Sequence, residues 1–210
     1  MARMNDCLRI AELTCARLCH DLSGLLGTVS GALELATDGV DDLSEELSLA
    51  VDAAKELTLR LRLYRAAWSA GTEDLSLSKL RALAEGLPKA RSVAIETDAL
   101  TPDFVLPAAT GRLVLNLLLL AGDSLPRGGR VLLAGSAGDL FIRILGPNAA
   151  WPSGFAACIA DAEAAIDALT TARAVQMPLA ALIAHAHGPR LSMLIGPAAA
   201  GAPPALRLVA

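Results

Sequence analysis

Apolar residues recur along the first third of the chain in steps of three and four: Leu8, Ala11, Cys15, Leu18, Leu22, Leu25, Val29, Leu33 and Ala36. That spacing draws one stripe along an α-helix. The segment "TDGVDD" interrupts it, with Gly39 suited to a helix stop and Asp41 or Asp42 to an N-cap. A second stripe follows at Leu43, Leu47, Val51, Ala54, Leu57, Leu61, Tyr64 and Trp68. So short a connection makes the two helices antiparallel neighbours. Two helices cannot enclose a core between them. Near-heptad stripes on both arms are most economically covered by a second copy, in a homodimeric four-helix bundle. The alternative is that the hairpin packs only on the rest of its own chain.

The texture changes after the small, polar segment "SAGTEDLS", residues 69 to 76, and two domains are expected, 1–72 and 73–210. A helix is predicted from Ser76 to Lys89 and a strand from Ser92 to Thr97. Pro107 opens another helix that runs to Gly122. "LPRGG" leads into a strand pair, Arg130 to Ala134 and Leu140 to Leu145, turning at Gly138-Asp139. Helices over Gly154–Leu169 and Ala174–Ala186 precede two last strands, Leu191–Ile195 and Ala205–Val209. The fold class expected is α+β: an N-terminal helical hairpin, then a sheet with helices on one face.

Composition narrows the function classes. Apolar residues make up 54% of the 210 and aromatics only 3%, so the cores are built from aliphatic side chains. The net charge is −4 with no long run of one sign, which points to neither nucleic acid nor an anionic membrane as a partner. The run Leu113–Ala121 is far below the ~20 residues of a membrane span. Three of the four cysteines, Cys7, Cys15 and Cys19, share one helix, a pattern of reduced thiols and a cytoplasmic setting.

The first helix carries the candidate chemistry. At ~100° per residue, His20 stands about 200° from Leu18 and from Leu22, away from the stripe. Gly24, Gly27 and Gly31 follow it, although each glycine costs a helix ~1 kcal/mol relative to alanine. Such a face suits the close approach of another molecule. Neutral imidazole, with an unperturbed pKa near ~6.5, is a nucleophile, and the neighbouring Asp21 can hold one ring N–H or take part in proton transfer. These are the parts of a phosphoryl relay site. A plain surface histidine, or a thiol–imidazole metal site from Cys15, Cys19 and His20, is the competing reading; the spacing puts Cys15 in the core and Cys19 on its flank, so metal is not expected.

"ARLCHDLSGLLGTVSGALEL" resembles the phosphoacceptor helix of histidine kinases, and more closely that of the ChpT-type bacterial histidine phosphotransferases. The shared elements are Arg17, Leu18, Cys19, His20, Asp21 and Leu22, then Gly27 and the run Ala32, Leu33, Glu34, Leu35. The family's proline five residues after the histidine is replaced by Leu25. Residues 112 to 133 resemble the helix, loop and strand of a kinase ATP-binding domain, of the Bergerat type. Asn116 survives there, while the second asparagine, a magnesium ligand, falls at Leu120. Leu145 stands where an adenine-reading aspartate belongs, and Ala174 and Gln176 replace phosphate-loop glycines. His187, Gly188, Pro189 and Arg190 keep the end of that stretch, and His185 and His187 read as helix-end residues.

The resemblance implies a histidine phosphotransferase that uses no ATP. It implies His20 as phosphoacceptor and Asp21 as its orienting or proton-transferring partner. The partners implied are a second copy of the chain, the receiver domain of a hybrid kinase, and the receiver domains of response regulators. No cofactor is expected on this chain, because the receiver brings the magnesium. Ala16, Ser23, Gly24 and Gly27 would give a receiver clearance, and Arg17 would meet acidic groups beside its pocket. The other readings are an autophosphorylating kinase with an unusual ATP site and a non-catalytic dimeric adaptor.

Overall fold

The computed structural model describes residues 2–37, 43–69, 71–88, 92–187, 189–194 and 203–209, with the side chains of 2, 3, 37, 43, 44 and 187 excepted. Gly39, Asp41, Asp42, Lys89, Gly188 and Ile195 lie outside the described residues. Two long helices, α1 (Ala2–Thr37) and α2 (Leu43–Trp68), form the expected antiparallel hairpin. Where they cross closely they bury little more than alanine: Ala32, Ala50 and Ala53. Toward the far end of α2, Leu63, Tyr64 and Ala67 join the main core of the chain.

The predicted stripes divide. Leu18 and Leu22 pack partly against that core. Leu8 stays 55% exposed, Leu33 46%, Leu47 53%, Val51 44% and Leu61 43%, so much of each stripe is uncovered within one chain. Cys15, assigned to the core from its spacing, is exposed on this uncovered stripe. The helix has a second apolar flank, through Ile10 and Leu25, that faces α2 and the rest of the chain, and stripe spacing does not tell the two flanks apart.

The rest of the chain is mixed. A two-residue ladder pairs β1 (Leu75–Ser76) with β3 (Val105–Leu106), too short to leave a period in the sequence. Ser76 caps α3 (Leu77–Ala84) by accepting from the Lys79 N–H. Strand β2 (Val93–Leu100) is followed by α4 (Ala108–Asp123), which crosses back to β4 (Gly129–Ser136), parallel to β2. Strand β5 (Asp139–Leu145) returns antiparallel through a tight turn at Ala137-Gly138, one residue earlier than predicted. At the other end of β4, Gly128 and Gly129 take positive φ angles of 74° and 145°, which lets the backbone pass against Gly146 without a Cβ in the way.

The stretch predicted as one helix over 154–169 is two, α5 (Phe155–Ala160) and α6 (Ala162–Asp167). Asp161 adopts extended backbone angles there, and its carboxylate accepts from the N–H groups of Glu163 and Ala164, so it stops one helix and caps the next. Helix α7 (Gln176–His187) and strands β6 (Arg190–Leu194) and β7 (Ala205–Val209) complete the fold. The sheet order is β2-β4-β5-β7-β6. Leu140, Ile142, Ile144, Leu206 and Leu208 point from it into the core, while Arg143 on the other face is exposed. Helix α4 lies between sheet and hairpin, and Leu113 to Ala121 are buried without interruption, as a helix covered on all sides requires.

Candidate functional site

His20 sits midway along α1 with its side chain 85% exposed. Its neighbours on that face are small. On a helix of ~100° per residue, Ala16, His20, Ser23, Gly24 and Gly27 fall within an arc of about 100°. A Cβ added at Gly24, Gly27 or Gly31 would meet nothing within 4 Å. Packing inside this chain therefore does not account for those glycines.

Asp21 turns the other way, toward α2, and its side chain is only 13% exposed. Its two oxygens are divided. Oδ2 accepts from Arg17 Nε at 2.5 Å and from the Tyr64 hydroxyl, which reaches over from α2. Oδ1 lies 3.1 Å from His20 Nδ1. Burial by itself would raise the Asp21 pKa; the hydrogen bonds from Arg17, Tyr64 and His20 outweigh it and hold the group below the usual carboxylate range. An ionised carboxylate only accepts, so Nδ1 carries the proton of that contact and Nε2 is the free ring nitrogen.

Arg17, expected as a docking residue, is engaged within the chain. Its terminal nitrogens reach Asp123 at the end of α4, at 3.1 and 3.2 Å, and the Arg173 carbonyl at 3.2 Å. Its side chain is 11% exposed. Burial works against the charge, but the two carboxylates prevail and push its pKa up. The guanidinium thus straps α1 to α4. Tyr64, 3% exposed and stacked on Trp68 with ring centroids 4.4 Å apart, has its pKa raised by burial first and by Asp21 second.

Between α1 and the α/β part lies a cleft of about 890 Å³. Ala16, Arg17, His20 and Asp21 line one side; Leu120, Asp123, Arg173 and Gln176 line the other. Ser23, Gly24 and Gly27 continue the His20 face beyond the cleft. Asn116, the first asparagine of the resemblance to a kinase ATP-binding domain, is fully buried. Its amide donates to the carbonyls of Ala67 and Arg112 at 2.7 and 2.8 Å, and its Oδ1 accepts from Gln176 Nε2 at 3.0 Å. It ties the end of α2 to α4, and Gln176 plugs the space beside it. His185 Nε2 lies 2.9 Å from the Cys158 carbonyl, away from the cleft. Among the described residues no three His, Cys, Asp or Glu side chains converge as a metal site, and no helix is long and apolar enough to cross a membrane.

Tyr64 and Asp123 are not legible as site residues, and Gln176 reads only as the replacement of a phosphate-loop glycine. Tyr64 read as one more apolar stripe position; its only distinguishing signal is that it is the chain's one tyrosine.

Residues 77–199 match the histidine phosphotransferase C-terminal domain family. Protein phosphotransferase ChpT of Brucella abortus (strain 2308) is 30% identical over 135 residues, 63% of this chain and 64% of that protein, so the match spans less than two thirds of the curated relative. A solved bacterial phosphotransferase superposes with a TM-score of 0.73 at 24% identity, covering 96% of both chains, and shares the fold.

Proposed function

The chain belongs to the histidine phosphotransferase family, and from that premise we propose that it relays a phosphoryl group through His20, from the receiver aspartate of a hybrid kinase to the receiver aspartates of response regulators. The observation that carries this reading is an exposed imidazole whose Nδ1 is held by a buried carboxylate, on a helix face cleared of side chains. In the first transfer the Nε2 lone pair attacks phosphorus, an N–P bond forms, and the P–O bond to the receiver aspartate breaks with its electron pair left on that carboxylate. The ring becomes cationic, and Asp21 balances the charge through Nδ1–H. The second transfer reverses these steps onto another aspartate. Positioning and charge neutralisation supply most of such a reaction. The divalent cation of a receiver would travel with the receiver.

Ala16, Ser23, Gly24 and Gly27 form the proposed docking face, with Arg17 at its edge holding Asp21 and the cleft wall in place. The domains are taken as 1–72 for dimerisation and phosphotransfer and 73–210 for the degenerate ATPase-like part. The dimer is supported by the uncovered stripes: Met4, Leu8, Ala11, Cys15, Leu26 and Leu33, which share one face of α1, and Leu47, Val51, Ala54, Thr58 and Leu61 on α2, the latter spaced four and three apart like a coiled-coil seam. Covering what remains exposed of each large side chain contributes on the order of 1 kcal/mol. A cytoplasmic setting goes with receiver partners and with four free cysteines.

The experiment mixes the protein with a phosphorylated receiver domain and measures acid-labile phosphate on this chain. His20→Ala abolishes the label and leaves melting and dimerisation nearly unchanged, because an exposed side chain contributes little stability. Normal labelling of that variant refutes the reading. Calorimetry with millimolar Mg-ATP is expected to be silent, because Leu120 and Gln176 stand where cation and phosphate contacts would be; saturable micromolar binding returns the kinase alternative.

A further inference from the structure

A carboxylate that orients an imidazole must itself be held, and the holding group here comes from the other arm of the hairpin. We propose that Tyr64 is a positioning residue for phosphoryl transfer: by donating its hydroxyl to Asp21 Oδ2, it turns Oδ1 toward His20 Nδ1 and keeps the imidazole in the tautomer that leaves Nε2 free. This rests on His20 being the phosphoacceptor.

Three features carry the inference. The first is the division of donors at Asp21. Arg17 Nε and the Tyr64 hydroxyl both go to Oδ2, so Oδ1 is left for the histidine. The second is where each holder is anchored. Arg17 is shared with Asp123 and the Arg173 carbonyl across the cleft, so its position follows the α/β part. Tyr64 is buried in the hairpin and stacked on Trp68, so it holds Asp21 from within the same pair of helices that carries His20. The third is chemical. Phenylalanine would satisfy the stack and the burial equally well; the hydroxyl is needed only because a carboxylate sits opposite. Which nitrogen of a histidine carries the proton is set by the hydrogen bond made at the other position. An imidazole that is 85% exposed, with no second hydrogen bond among the described residues, depends on Asp21 for that choice.

The test compares wild type with Tyr64→Phe. Side-chain 15N spectra identify the His20 tautomer, with His20→Ala used to assign the signal among the three histidines. Potassium phosphoramidate, a small phosphodonor that needs no docking surface, then labels the protein: Nε2 attacks phosphorus and ammonia leaves. Wild type is expected to show the Nδ1–H tautomer and phosphate on Nε2. Tyr64→Phe is expected to shift the ring toward the Nε2–H tautomer, to slow labelling roughly ten- to hundredfold, as loss of an outer-shell partner of a histidine does in metal sites, and to place part of the phosphate on Nδ1. A merely structural tyrosine would change melting but neither the tautomer nor the site of attachment. Wild-type tautomer ratio, rate and Nε2 product in folded Tyr64→Phe overturn the inference while His20 stands. Label persisting in His20→Ala overturns the phosphoacceptor reading instead. Should Tyr64→Phe fail to fold, uniform 3-fluorotyrosine labelling alters only this residue, the chain's one tyrosine. It makes the hydroxyl a stronger acid without removing its packing. A His20 ring that is mainly Nε2–H in wild type, or that gives up Nδ1–H for Nε2–H under this stronger donor, overturns the inference as well.

Discussion

The helical hairpin and the α/β part obey the same packing physics and end in different states. Around α4 and the sheet, Leu117, Leu118, Leu125, Val131 and Ile142 are all fully buried, and the core is closed by the chain itself. Along α1 and α2 the buried apolar residues away from the main core are alanines, and many of the large aliphatic side chains are left half in water. Helix α1 also carries glycines at which an added Cβ would meet nothing within 4 Å. An element finished by its own chain maximises burial; the hairpin instead leaves uncovered both the stripe proposed for a second hairpin and the His20 face proposed for a receiver. The proposed phosphotransfer site and dimer seam both rest on the part whose packing is incomplete.

That comparison can be broken most severely at the uncovered stripe. Val51→Asp changes a side chain that is 44% exposed in one chain, so a monomeric hairpin would tolerate it. In the bundle it strands a charge at the seam, and sedimentation is expected to show monomers or aggregates. A wild type that sediments as a monomer at micromolar concentration removes the bundle. Next in size is Leu117→Ala in the closed core, which should cost ~2–5 kcal/mol of unfolding free energy and leave the oligomeric state of the folded fraction alone. Denaturant titration combined with light scattering separates these two responses.

Arg17→Ala cuts the strap between the two parts. Hydrogen bonds to charged groups contribute about 2 kcal/mol in such partly buried places, so a clear fall in melting temperature is expected together with a loss of transfer. A purely external docking role for Arg17 would instead weaken receiver binding in a salt-sensitive way with melting unchanged. Gly24→Leu tests the open face from the opposite direction. With nothing near its Cβ and better helix propensity by up to ~1 kcal/mol, it should melt at the same or a higher temperature while transfer from and to receivers falls. Lower stability with normal receiver affinity would show that the glycine serves the bundle.

The smallest effect is on acid stability. The folded pKa of Asp21 is depressed, so its contribution is complete above the unfolded value near ~3.9 and is lost as pH falls through the lower folded value. Asp21→Asn should therefore narrow the stability gap between neutral and acid pH, and its difference from wild type should shrink below about pH 3. An unchanged gap would show that Asp21 is not held as described.

Much of this was written in the pattern of residues. The hairpin, the α4 helix opening after Pro107, the β4–β5 pair and the last strand follow from periodicity and turn chemistry, which are local. His20 was placed off the stripe by its angle alone, and the helix glycines marked the face beside it. The break at Asp161 is invisible to apolar spacing, which continues across it, and one side chain capping the next helix decides the matter. Which flank of α1 is inside was likewise beyond periodicity: Cys15 fits the stripe, and only the placement of α2 and α4 shows that stripe uncovered.

The sequence by itself determined most of the elements and the exposed histidine with an acid beside it. The tertiary structure decided what holds that acid. Tyr64 and Asp123 lie 43 and 106 residues from the groups they bind, and a hydrogen bond needs atoms within ~3 Å and in line. Chain spacing does not encode that distance; only the packing of α2 and α4 against α1 does.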